Sequence, residues 1–75
     1  MSLHPHISRP KTFSIVHRGQ RWSGDYGVDS SGMLRVGSAY GSAVRKLGRY
    51  DPQAMAERML KEQVDAWRER RAFTS

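Results

Sequence analysis

The stretch that decides the fold is residues 51–71, DPQAMAERMLKEQVDAWRERR. Asp51 can accept hydrogen bonds from the first free N–H groups of a helix, and Pro52 suits the first helical position because it has no N–H group. The helical repeat places the apolar side chains on about half of the wheel. The pattern therefore predicts an amphipathic C-terminal helix whose apolar half is covered by the rest of the chain. That half holds Met55, Ala56, Met59, Leu60, Val64, Ala66 and Trp67.

The residues before this helix alternate with a period of two, which predicts strands. One strand begins at Lys11 and ends near Gly19, and a second covers residues 21–28. The polar turn Asp29–Gly32 suits a hairpin and leads into a third strand. The side chains predicted to face the helix are Phe13, Ile15, Trp22, Tyr26, Val28, Leu34 and Val36.

The pattern is weaker after the third strand, because residues 37–42 contain two glycines and two serines. A bulge or a turn fits there, followed by a short fourth strand over residues 43–47 that ends at Gly48. Whether Val44 or Leu47 faces inward stays open at this point. The predicted fold class is α+β: a three- or four-stranded antiparallel meander with one C-terminal helix packed on one face.

Length and composition indicate a small single domain. The chain has 75 residues and no cysteine, so neither a disulfide nor a thiolate metal site is expected. We expect residues 1–10 to form a flexible N-terminal tail and residues 11–73 to form the domain. His4 and His6 lack the further ligands of a metal site. Since no apolar run is long enough to span a bilayer, a cytoplasmic protein without membrane contact is predicted.

No pattern of catalytic residues is present, and a non-enzymatic protein is predicted. His17 shares a strand face with Phe13 and Ile15, so it is expected at the rim of the core and not as a general base. The glycine-rich residues 37–42 lack the Gly-Lys-Ser/Thr ending of a phosphate-binding loop. We therefore predict no catalytic residue, no metal, no cofactor and no small-molecule substrate.

The charge pattern gives the functional hypothesis. The formal net charge is +6; residues 1–50 hold eight Lys/Arg against two Asp, whereas residues 51–75 hold five of each sign. Strand alternation places arginines on the open sheet face, which would attract phosphate. Residues 68–71 are also basic, but cations there suit the negative end of the helix dipole. The candidate nucleic-acid-binding residues are Arg18, Arg21 and Arg35, joined by Arg45 or Lys46 according to the register of the fourth strand.

Two further features leave the partner open. Tyr40 or Tyr50, if exposed among these arginines, would stack on bases and favour single strands, whereas packing at the sheet edge is the alternative for both. The same surface also fits an ordinary solubilising face, since about a quarter of the residues of any protein are charged. The leading hypothesis is a small basic module that binds DNA or RNA. The alternative is a protein-interaction module or a homodimer formed through the open face or a sheet edge.

Two resemblances to known families are present. Residues 22–24, Trp-Ser-Gly, resemble a step in the DNA-binding tails of bacterial nucleoid-structuring proteins, but Asp25 follows where those tails continue into an arginine-containing loop. The chain also resembles, over about residues 12–64, a loosely defined set of short bacterial proteins of unknown function. This second resemblance implies no activity, cofactor or functional residue. Its shared segments are residues 22–28, 38–42 and 47–48 and the helix pattern Pro52, Ala56, Met59 and Leu60.

Overall fold

The computed structural model describes residues 10–74, and the side chains of residues 10–72. Four strands form one antiparallel sheet in the order β1-β2-β3-β4, and a single helix packs across one face of it. The elements are β1 (Lys11–His17), β2 (Gln20–Val28), β3 (Met33–Ser38), β4 (Gly41–Lys46) and α1 (Pro52–Thr74). The predicted α+β meander with a C-terminal helix is confirmed.

The first two hairpins are fixed by their turn residues. Arg18 and Gly19 link β1 to β2, and both have positive φ (54° and 76°), as in the two-residue turns that match the twist of paired strands. Between β2 and β3, Oδ1 of Asp29 accepts hydrogen bonds from the N–H of Ser31 at 2.9 Å and of Met33 at 3.0 Å. The hydrogen bond from the Ser31 hydroxyl, followed by that from the Met33 N–H, lowers the pKa of Asp29.

The core lies between the helix and the inner face of the sheet. Its most completely buried side chains are Leu34, Met59, Leu60, Val36 and Val64. The predicted inward residues of β1, β2 and β3 are buried, apart from Val28, which is partly buried. The two-residue alternation in the sequence therefore predicted the core side chains of these strands correctly.

Two polar side chains define the start of the helix and its position on the sheet. Oδ2 of Asp51 accepts a hydrogen bond from the N–H of Ala54 at 2.9 Å, which confirms Asp51 as the N-cap. Within the interface, Gln63 is 91% buried; its amide donates to the carbonyl of Val36 at 3.2 Å and its Oε1 accepts from the Ser38 hydroxyl at 2.7 Å. Both ends of this buried amide are thus paired, which defines how α1 lies on β3.

Two details of the sequence prediction change, and one open point is decided. The fourth strand begins two residues earlier than predicted, because the turn before it consists of Ala39 and Tyr40 alone. Leu47 lies after β4 and packs against the core, whereas Val44 faces outward and is 49% exposed. Ala66, predicted on the apolar half of the helix, is exposed. The predicted tail over residues 1–10 falls, apart from Pro10, outside the described residues.

Candidate nucleic-acid interface

The open sheet face carries three of the five predicted cations. Arg21, Arg35 and Lys46 are exposed and alternate with the inward residues of their strands. Arg35 lies opposite Gly27, six residues along β2 from Arg21, which separates these two arginines by about 20 Å at the usual rise per residue of a strand. In addition, Nε of Arg35 lies 3.9 Å from a carboxylate oxygen of Asp29. Lys46 is two residues along β4 from the residue opposite Arg35, which makes these two cations diagonal neighbours. The open face therefore has one pair of neighbouring cations and the distant Arg21 instead of the expected cluster.

Arg18 does not lie on the open face, which corrects the sequence prediction. Its positive φ ends the alternation of β1 and directs the side chain toward the helix, where Nε donates to Oδ1 of Asp65 at 2.9 Å. Nε2 of His17 lies 3.0 Å from the same oxygen. Because an ionised carboxylate only accepts, the imidazole is the donor in this pair. Arg18 and His17 thus tie the first hairpin to the helix.

Arg45 also faces the helix side, and Lys46 is the residue of the pair that faces outward. Arg45 lies opposite the buried Leu34, and its Nη2 donates to Oε1 of Glu62 at 3.1 Å. Exposed ion pairs of this kind contribute little to stability. They do, however, reduce the positive potential near β4, which weakens the case for Arg45 as a phosphate contact.

A second group of arginines lies where the first hairpin meets the C-terminal part of the helix. We call this region the basic end and define it by Arg18, Arg68, Arg70 and Arg71 on the helix side and by Arg21, which extends from the same hairpin on the open face. Gln20 of the hairpin and Arg68 and Arg71 of the helix line one open cleft there. The sequence reasoning assigned the helical arginines to the helix dipole alone, because it did not place the hairpin beside them.

The charge balance of the basic end is positive. Arg18 is paired with Asp65, and residues 66–72 of the sequence contain three arginines and one acid, Glu69. The helix dipole contributes about half a negative charge at the C-terminus. The C-terminal part of the helix is therefore rich in cations. Within residues 10–74, the ion pairs of the structure include neither Arg21 nor Arg68.

Three aromatic rings form the floor of the cleft. Trp22, Tyr40 and Trp67 meet edge to face, with ring centroids 5.2 Å (Trp22 to Tyr40), 6.0 Å (Trp22 to Trp67) and 5.1 Å (Tyr40 to Trp67) apart. Trp22 is buried, and its indole N–H donates to the carbonyl of His17 at 2.8 Å. Tyr40 and Trp67 are only partly buried, and the guanidinium carbon of Arg71 lies 4.8 Å from the Trp67 ring centroid. Tyr40, one of the two tyrosines proposed for base stacking, thus lies among arginines.

The other candidate groups do not converge in a cleft. Tyr50 is 65% exposed but does not line the cleft at the basic end. The hydrogen bond from His17, followed by that from Arg18, lowers the pKa of Asp65. The His17–Asp65 pair does not line the cleft at the basic end.

The search for metal sites and membrane spans covered the described residues. Among them, no three His, Cys, Asp or Glu side chains are grouped so that they could hold a metal ion. His4 and His6 lie outside this part of the chain. No helix within residues 10–74 combines the length and apolar character needed to cross a membrane.

The fold and the cleft define a small α+β domain with one arginine-rich, aromatic end. No protein-family model, curated protein or solved structure matches the chain. The functional argument therefore rests on the geometry and charge of the site.

Proposed function

We propose that this protein is a non-enzymatic nucleic-acid-binding module that contacts the phosphate backbone through its basic end. The observation that carries the proposal is the position of the first hairpin beside the arginines of the helix at one end of the domain. Phosphate contacts of this type give affinity that depends on salt and little on sequence. A cytoplasmic location is part of the proposal.

The basic end fits phosphate better than the open sheet face does. Guanidinium groups bind phosphate oxygens in a bidentate manner, so a few arginines at one end can hold adjacent phosphates. On the open face, by contrast, Arg21 lies about 20 Å from Arg35, and Arg35 is beside Asp29. Of the residues predicted from the sequence, Arg21 is the one that belongs to both surfaces.

A titration of labelled oligonucleotides, followed by fluorescence anisotropy, tests this function. Single-stranded and duplex DNA and RNA of about 15 nucleotides are each titrated with the protein at low and at moderate salt. We expect binding at micromolar protein or below in low salt, and a steep loss of affinity as salt rises. If the protein binds none of these nucleic acids at low salt, the proposed function is wrong.

A second candidate function, self-association, is favoured by the exposed edge of β1. Edge strands are usually protected by charged residues, proline or bulges. Between Thr12 and Val16 the edge strand β1 has no charged residue or proline, and Val16 is 71% exposed, whereas the edge strand β4 carries Arg45 and Lys46. Antiparallel pairing of two copies about Ser14 would place Thr12 opposite Val16 on the open face.

Sedimentation at several protein concentrations distinguishes this candidate from nucleic-acid binding. Pairing through β1 predicts a concentration-dependent dimer that Ser14→Lys abolishes. Ser42→Lys, a matched change on the same face of the other edge strand, should leave the dimer intact. A protein that is monomeric at all concentrations, or a dimer that survives Ser14→Lys, contradicts self-association through this strand.

A further inference from the structure

The aromatic cleft at the basic end combines flat rings with a positively charged rim. It is open to solvent and has a volume of about 550 Å³, within the roughly 300–1,000 Å³ of small-molecule sites. Tyr40 and Trp67 lie in its floor, and Arg68 and Arg71 lie beside them on the helix. This combination suits a ligand that is planar on one side and anionic on the other.

The rings of the cleft are held in place before any ligand binds. Trp22 is fixed by its hydrogen bond to the carbonyl of His17, and both Tyr40 and Trp67 pack edge to face against it. Rigid aromatic side chains lose little conformational entropy on binding. The partly exposed rings of Tyr40 and Trp67 are therefore prepared surfaces for stacking.

The polar groups around the rings match the other parts of a nucleotide. Arg71 lies over the Trp67 ring, and Arg68 is one helical turn away on the same side of the cleft. Either guanidinium can bind a phosphate oxygen next to a base in the cleft. Gln20, also in the lining, carries an amide that both donates and accepts, as the edge of a base requires.

We propose that this cleft binds one unpaired base of a single-stranded nucleic acid, stacked on the Trp67 face that the Arg71 guanidinium covers in this structure and with the Tyr40 ring against its edge, while Arg68 and the displaced Arg71 hold the neighbouring phosphates. Bases in a duplex are stacked on each other and do not offer a face to the protein, so the site favours single strands. This inference rests on the proposed function, which concerns phosphate binding alone, and adds a preference for unpaired bases.

Intrinsic tryptophan fluorescence tests the inference, because Trp67 is one of two tryptophans and both lie in the cleft. The unlabelled probes are a single-stranded oligonucleotide, the duplex of the same length, and inorganic polyphosphate, which has phosphates but no bases. We expect quenching by the single strand and little quenching by polyphosphate or duplex. We also expect the single strand to bind more tightly than the duplex.

Two variants make the test specific. Trp67→Leu keeps an apolar side chain against the core but removes the stacking ring, and should reduce affinity for the single strand by about tenfold or more relative to the duplex. Tyr40→Leu, in the turn before β4, tests the same site through its other partly exposed ring, in case Trp67→Leu does not fold. Circular dichroism checks the fold of each variant.

The outcomes separate this inference from the proposed function. Equal binding of single strand and duplex without quenching overturns the stacking site, while phosphate binding stands. A folded variant that loses affinity for the single strand and the duplex to the same extent also overturns it. If the protein binds no nucleic acid and no polyphosphate, the proposed function and the stacking site both fail.

Discussion

Gly24→Ala is predicted to destabilise the protein, because the space between β2, β3 and the helix at this position is too small for a methyl group. A Cβ atom at this buried position would lie 2.8 Å from the carbonyl oxygen of Gly37, 3.4 Å from Cβ of Ser38 and 3.6 Å from Cδ1 of Leu60. The closest atom belongs to the backbone of β3, so the strands must move. Overpacking of this kind costs about 1–3 kcal/mol.

Gly37→Ala provides the matched control on the open face of the same sheet. A Cβ atom there would have nothing within 4 Å, and the φ angle of Gly37 is not in the positive range. Replacing this glycine restricts the unfolded chain without causing a clash, so stability should stay the same or rise by about 0.4–1 kcal/mol.

Thermal unfolding followed by far-UV circular dichroism measures both changes. For a domain of this size, each kcal/mol shifts the Tm by about 4–8 °C. Gly24→Ala should therefore lower the Tm by about 4 °C or more, and Gly37→Ala should not lower it. Equal Tm values for Gly24→Ala and the unchanged protein, or a loss of the same size in both variants, would refute the packing of Gly24 against β3.

Two further predictions concern polar contacts between the helix and the sheet. Gln63→Glu removes the donor to the carbonyl of Val36 and buries a charge. Urea denaturation at neutral pH should therefore show a loss of about 1–3 kcal/mol in the free energy of unfolding. This loss should be smaller at a pH where the new carboxyl is protonated. The pKa of Asp65 is lowered in the folded protein, so its contribution to stability is present above the ordinary value of 3.8 and is lost as the pH falls through the lowered value. Asp65→Asn should remove this part of the acid dependence in unfolding measured from neutral pH to pH 2; an unchanged acid profile would contradict a stabilising role for its contact with His17.

The core was predictable because it follows from periodicity. Alternation in a strand assigns each side chain to a face regardless of distant contacts, and this placed Phe13, Trp22 and Leu34 beneath the helix. Gln63 was missed because its type is polar. Its position did contain a signal, since it lies three residues after Leu60 and four after Met59, which are both on the buried face of the helix.

The candidate site was less predictable because it depends on turns and on the packing of distant segments. A positive φ at Arg18 breaks the alternation at the end of β1, and the two-residue turn at Ala39 and Tyr40 decides whether Arg45 or Lys46 faces outward. The first hairpin and the arginines of the helix are distant in the sequence and come together only through tertiary packing. No local pattern in the sequence encodes it.

The most direct test of the basic end is the dependence of single-strand affinity on salt in two matched double variants. Arg21→Gln with Arg68→Gln removes one strand cation and one helix cation from the basic end. Lys46→Gln with Arg58→Gln removes the same charge elsewhere; all four side chains are exposed, and within residues 10–74 none of them is in an ion pair.

Each lost phosphate contact reduces the slope of log K against log salt by about 0.7 for single strands. The account predicts a slope reduced by about 1.4 in the first variant and an unchanged slope in the second. An equal reduction in both variants, or a reduction only in the second, would contradict phosphate binding at the basic end.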